Sequence, residues 1–210
     1  MNKALIATLG FDADLILRRI RFGRGYLKIK CISLRVDEQS FKRVETAYST
    51  IKFIAEKLGM ASELRSFSLT RGLIRSIIEE IENEAAYSEV EILLSGGPRL
   101  LVIATFIATL LIDPLFIDRV TIIVEGEGFE GEIRAPASWL KKIIELSGDE
   151  IEILNYVAGV ERVKPSDLVR DLRIPKATAY KKLRKLAKHN ILREEDNVFT
   201  VSEHLLSILY

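Results

Sequence analysis

The chain has 210 residues, 31 Lys and Arg against 30 Asp and Glu, and 48% hydrophobic content, the composition of a water-soluble globular protein and not of a disordered one. Cys31 is the single cysteine, which excludes an intrachain disulfide and a cysteine-built zinc site and points to a reducing, cytoplasmic setting. No cleavable apolar segment precedes the first strand-like run, so the expectation is a protein that is not secreted.

In chain order, Lys3 to Leu9 is a short apolar run, Tyr26 to Leu34 a longer one, Glu63 to Leu69 alternates, Glu89 to Ser95 is apolar after its acidic start, and Val120 to Val124 is β-branched. Between these strands, Phe41, Val44, Tyr48, Ile51, Ile54, Ala55 and Leu58 recur at helical spacing, as do Leu73, Ile74, Ile77, Ile78 and Ile81. Strands alternating with helices imply βαβ units, and so an α/β, Rossmann-like domain with a mostly parallel sheet over residues 1–134. Leu100 to Ile112 carries no charge, but a helix of that length reaches roughly 20 Å where a membrane core needs about 30 Å. It reads as a helix buried on both sides, one face on the sheet and the other under a second subunit. No membrane partner is expected.

Glu125-Gly126-Glu127-Gly128 reads as a hairpin joining Val120–Val124 to Glu130–Arg134, and the pattern changes near Ala135-Pro136-Ala137-Ser138. Residues 135–147 are then a linker or helix, and residues 148–210 a second domain. Its predicted elements are a helix from about Asp149 to Val157 and a second from Pro165 through Leu172. A turn at Arg173-Ile174-Pro175 follows, then a helix over Lys176–Lys188, two small strands within Asn190–Val201 around an Asp-Asn turn, and a last helix.

Pro165 to Asn190 holds eight basic and two acidic side chains, a local net of +6 hidden by the near-neutral total. On the Lys176–Lys188 helix, Ala179, Leu183, Leu186 and Ala187 form an apolar stripe, and Lys181, Lys185 and Lys188 lie opposite, flanked by Thr178, Lys182 and Arg184. Like charges crowded on one helix repel one another, and a polyanion would relieve that. This order of elements resembles a winged helix-turn-helix, the DNA-binding domain of many transcriptional regulators. In such a domain Lys176, Ala177, Thr178, Lys181 and Lys182 approach base edges of double-stranded DNA, Lys185 and Lys188 approach phosphates with Arg184 beside them, and Arg193 is contributed by the wing. A lysine-rich helix in a protein-binding adaptor is the alternative. His189 and His204 have no partner at metal-ligand spacing, so no metal site is read.

Two glycine turns stand at predicted strand ends, where doubly wound sheets bind ligands. Thr8-Leu9-Gly10-Phe11-Asp12 follows the first strand and Ser95-Gly96-Gly97-Pro98-Arg99 follows the fourth. Neither is the three-glycine dinucleotide fingerprint, which disfavours NAD. In the second turn Pro98 suits the first helical position and Arg99 offers a forked phosphate donor at a helix N-terminus. The same residues also fit a plain strand-to-helix turn with Arg99 paired to an acidic neighbour, and both readings stay open.

Gly10-Phe11-Asp12, Gly96-Gly97-Pro98-Arg99 and the C-terminal winged helix together resemble the CARF-domain regulators of archaeal CRISPR-Cas systems. The resemblance implies a homodimer paired through the Rossmann-like domains that binds a cyclic oligoadenylate, cyclic tetra-adenylate above all, across its two-fold axis. It implies that Thr8, Gly10, Phe11 and Asp12 line the cleft, and that Ser95, Gly96, Gly97, Pro98 and Arg99 hold phosphate. Ligand would then change the affinity for promoter DNA. The cyclic oligoadenylate is an effector, with no cofactor and no catalytic residue assigned. The alternatives are a ring nuclease that cleaves such a ligand and a regulator sensing another phosphorylated metabolite.

Overall fold

The computed structural model describes residues 2–22, 25–126, 131–202 and 205, and divides into two units, Met1–Ser138 and Trp139–Tyr210. In the first unit, strands β1 (Lys3–Thr8), β2 (Tyr26–Leu34), β3 (Ala61–Phe67), β4 (Glu89–Leu93), β5 (Val120–Glu125) and β6 (Glu132–Pro136) are joined through helices α1 (Asp14–Phe22), α2 (Glu38–Lys57), α3 (Leu73–Ala85), α4 (Arg99–Leu111) and the single turn α5 (Pro114–Ile117). They build one six-stranded sheet in the order β3-β2-β1-β4-β5-β6, parallel throughout except between β5 and β6. The mostly parallel α/β sheet expected from the alternation is present.

The strand order reverses beside β1. The chain builds outward through β2 to β3, then crosses back to lay β4 on the other side of β1, with α1 and α2 packed together and α3 packed against α4. Under α1 and α2, Leu5, Ala7, Leu9, Ile29 and Cys31 pack with Ile16, Ile20, Val44, Ile51 and Ala55. Burying each of the larger of these side chains contributes about 1.5–3 kcal/mol. α2 is started by Asp37, whose carboxylate accepts the Ser40 amide at 2.7 Å, an N-cap that meets one of the helix's unpaired donors.

Three features depart from the sequence reading. The helix α1 was not anticipated, because nine residues between two strands give only the Ile16–Ile20 pair as a buried helical repeat. β3 begins two residues earlier than its alternation suggested, as an edge strand whose Glu63 and Arg65 face ion partners and not a core. Pro98 is the cap of α4 and not its first helical residue, and it makes no side-chain cap bond. The antiparallel β5–β6 pair fits the expected hairpin, whose Glu127, Gly128 and Glu130 lie outside the described residues.

The division falls within α6 (Ala137–Ile144), most of which belongs to the second unit, and there follow α7 (Gly148–Val160), β7 (Arg162–Val163), α8 (Pro165–Asp171), α9 (Lys176–Lys188), β8 (Leu192–Glu195) and β9 (Val198–Val201). A three-stranded sheet runs β7-β9-β8, with Asp196 and Asn197 both at positive φ in the β8–β9 turn. Ile153, Val157, Leu168, Ala179, Leu183, Leu186 and Phe199 form its buried core. Arg173, at φ 55°, turns the chain between α8 and α9. Trp139 is buried, and its indole N–H donates to the Asn190 carbonyl at 2.9 Å. Of the expected final helix, only Leu205 is described, and His204 lies outside the described residues. Among the described residues no helix is long and apolar enough to cross a membrane.

Candidate functional site

An open parallel sheet leaves a crevice beyond the carboxyl ends of the strands where its order reverses. Here those strands are β1 and β4, and the crevice is a cleft of about 830 Å3. Its lining runs from Leu9 to Asp12 and from Ser95 to Pro98, with Asp14, Leu15, Ile16 and Arg18 of α1 on one flank and Leu34, Val36, Ser40 and Val44 on another. Two turns from distant parts of the sequence, Thr8–Asp12 and Ser95–Arg99, are thus brought together, and the N-termini of α1 and α4 follow them directly.

The glycines are demanded first by the turns themselves. A Cβ on Gly10 would lie 2.8 Å from the Gly97 Cα, one on Gly96 would lie 2.7 Å from the Thr8 carbonyl oxygen, and Gly97 has a φ of +85°. Larger residues would force the turns apart. This adds a structural reason to the expected one of backbone approach to a ligand.

The candidate ligand residues do not all face the cleft. Thr8 is buried, and its hydroxyl donates to the Leu93 carbonyl at 3.3 Å, so it ties β1 to β4 and does not line the cleft. Ser95 does line it, while its Oγ accepts the Glu125 amide at 2.6 Å. Asp12 lines the mouth, with Oδ1 accepting the Asp14 amide at 2.8 Å. Phe11 is half-exposed in the lining, and the Arg43 guanidinium lies 4.0 Å from its ring centroid, within cation–π range. Arg99 is exposed at the first position of α4 and outside the lining of this cleft, and among the described residues it has no ion pair or hydrogen bond. No acidic partner for Arg99, such as the purely structural reading expects, is seen among the described residues.

Two arginines were missed by the sequence reading. Arg43 braces Phe11 from α2. Arg18 lines the cleft from α1, and its Nε and Nη2 donate to Glu125 Oε2 at 3.1 and 3.0 Å, with Nη2 also 3.3 Å from the Gly126 carbonyl. Behind it, Arg19 reaches Glu125 at 3.4 Å, Glu132 at 2.5 Å and Glu91 at 3.0 Å. Glu91 is 2% exposed and is held by Lys3, Tyr26, Arg19 and Arg134. Burial alone would raise its pKa, but these four donors overcome burial and bring it down to about 2. Burial, then the Glu91 hydrogen bond and charge, push the Tyr26 phenol up. Burial also pushes the Cys31 thiol up to about 12, so it is held as an inert core group.

In the second unit, Lys176, Ala177, Thr178, Lys181, Arg184, Lys185 and Lys188 are exposed on α9. The outward face of α9 is cationic, but part of it is engaged by acidic side chains. Lys182 is half-buried and ion-paired with Asp149 of α7, and Lys185 Nζ lies 2.6 Å from Glu150 Oε1. The Lys185 bond, followed by the Ser147 amide, draws the Glu150 carboxyl down to about 2. Arg184 stacks 4.4 Å over the Tyr180 ring and lies 3.6 Å from Glu194, and Arg193 lies 2.7 Å from Glu195. Lys176, Lys181 and Lys188 make no ion pair among the described residues. His189 follows α9 and is pushed below its ordinary pKa by burial and by Lys142, Lys185 and Lys188.

The strand order, the crossovers and the cleft at the reversal define the first unit as a Rossmann-like domain. The profile of the Csa3 CRISPR-associated Rossmann-like domain matches residues 3–136, and the chain belongs to that family. Comparison with curated proteins found no match. Among solved structures, the chain is similar to Can2 from Sulfobacillus thermosulfidooxidans in complex with cyclic tetra-adenylate, at 10% identity and a TM-score of 0.45, over 99% of this chain and 63% of that one. It is also similar to Enterococcus italicus Csm6 bound to cyclic hexa-2'-fluoro-hexa-dAMP, at 8% identity and a TM-score of 0.47, over 99% of this chain and 44% of that one. The chain thus spans less than two thirds of either.

Proposed function

We propose that the protein is a dimeric, CRISPR-associated transcriptional regulator that senses a cyclic oligoadenylate, cyclic tetra-adenylate above all, and binds double-stranded DNA. The observation that carries the reading is the cleft between the two interlocked glycine turns, in a chain of the Csa3 family. Backbone amides of the turns and the N-termini of α1 and α4 favour a negatively charged ligand, and the half-exposed Phe11 offers a stacking surface for a base.

Dimerisation is supported by α4. Leu100, Ile103, Ile107 and Leu111 are exposed in one line along it, between 38% and 60% accessible, while Leu101, Ala104 and Ala108 face inward. A row of this kind is costly in water and fits a self-complementary interface. A two-fold axis beside α4 would set two clefts, and two copies of Arg99, near a ligand that is itself symmetric.

The DNA reading rests on α8, the Arg173 turn, the basic helix α9 and the β8–β9 hairpin, an arrangement that suits a winged helix-turn-helix with α9 as its recognition helix. A binding role is preferred to ring cleavage because the described lining holds no imidazole, its only candidate bases being the carboxylates of Asp12 and Asp14, and the Asp12 carboxylate is already engaged by the Asp14 amide. The test is anisotropy of a labelled DNA duplex titrated with the protein, with and without saturating cyclic tetra-adenylate. The reading predicts DNA binding that weakens steeply with salt and shifts several-fold with ligand. No DNA binding at low salt would contradict the regulator.

A further inference from the structure

We propose that Arg18 grips a phosphate of the bound ligand, and that Glu125 is the internal anion it gives up in doing so. The inference rests on the ligand reading above and assigns it a residue that the glycine turns do not supply. Arg18 is the one cation among the described lining residues. Its side chain is 45% exposed, whereas that of Glu125 is 8% exposed. The fork formed by Nε and Nη2 is spent on Glu125, while Nη1 has no partner among the described residues, so donors remain for an incoming anion. A guanidinium binds carboxylate and phosphate with the same forked geometry. A phosphate oxygen in the cleft therefore competes directly with Glu125.

Glu125 can yield the contact without being stranded, since Arg19 also reaches its carboxylate, at 3.4 Å. Its amide meanwhile donates to the cleft residue Ser95, so the end of β5 touches the cleft twice. Glu125 pairs in register with Glu132 of β6, and Arg19 holds Glu132 as well. Occupancy of the cleft is thus felt at β6, the strand after which the chain passes into the second unit.

The test is calorimetric titration of cyclic tetra-adenylate into the wild-type protein, Arg18→Gln and Glu125→Gln, with thermal unfolding of each as a control. Arg18→Gln is expected to weaken binding about tenfold or more, the scale of a lost charge-assisted bond, whereas Glu125→Gln should tighten it a few-fold by removing the competitor. Wild-type binding with Arg18→Gln affinity within about twofold overturns the role of Arg18 alone, and so does a Glu125→Gln variant that weakens binding as much as Arg18→Gln. Absence of binding by the wild type overturns the ligand reading and this inference with it. If Arg18→Gln does not fold, Arg18→Lys keeps the charge and loses the fork. An intermediate affinity then supports the proposal, and an unchanged one overturns it.

Discussion

Glu91 sits in the middle of a central strand, nearly sealed from solvent, yet it is ionised because four donors converge on it. Removing one partner of such a cluster is far worse than never having built it, since the other charges stay buried. Glu91→Gln would leave Lys3, Arg19 and Arg134 facing a neutral amide, and a loss of about 3 kcal/mol is expected in chemical denaturation near neutral pH. The pH dependence follows from the sign of the shift. The folded carboxyl titrates below its ordinary value of 4.5, so its contribution is fully present above that value and is lost as pH falls through about 2. The stability gap between wild type and Glu91→Gln should therefore narrow between about pH 5 and pH 2. A gap constant over that range would show that Glu91 stabilises by shape and not by charge.

At the scale of elements, α4 and α9 each carry one face that is largely exposed among the described residues. For α4 that face is apolar, and Ile103→Glu should convert a dimer to a monomer in analytical ultracentrifugation without unfolding the first unit, because Ile103 is 58% exposed. A wild type that sediments as a monomer would remove α4 from any interface. For α9 the face is cationic but partly spoken for. Among the described residues Lys181 makes no ion pair while Lys182 is held by Asp149, so the two are not equivalent toward DNA. Lys181→Ala should lower the salt slope of DNA binding by about one, and Lys182→Ala by clearly less. Equal slopes for the two variants would mean that DNA displaces Asp149.

Across the whole molecule, what could be read in advance is what short-range pattern encodes. The limits of β2 and of α9 match those their apolar periods predict, and the Gly10 and Gly96-Gly97 turns were visible as breaks at strand ends. What could not be read depends on strand order. Arg18 meets Glu125 across 107 positions and Arg19 meets Glu91 across 72, and no period in the sequence announces such pairs. Thr8 and Arg99 belong to the right turns, but side-chain direction at a turn is set by the partner strand, and it sends one inward and the other outside the lining. Lys182 and Asp149, 33 residues apart, are the same case within the second unit.

The central claim is that the cleft between β1 and β4 receives a cyclic oligoadenylate shared between two copies of the chain. Calorimetric titration of the wild-type protein with cyclic tetra-adenylate addresses it most directly, because stoichiometry is read together with affinity. One ligand bound per two chains is the predicted result. No binding, or one ligand for every chain, would contradict it.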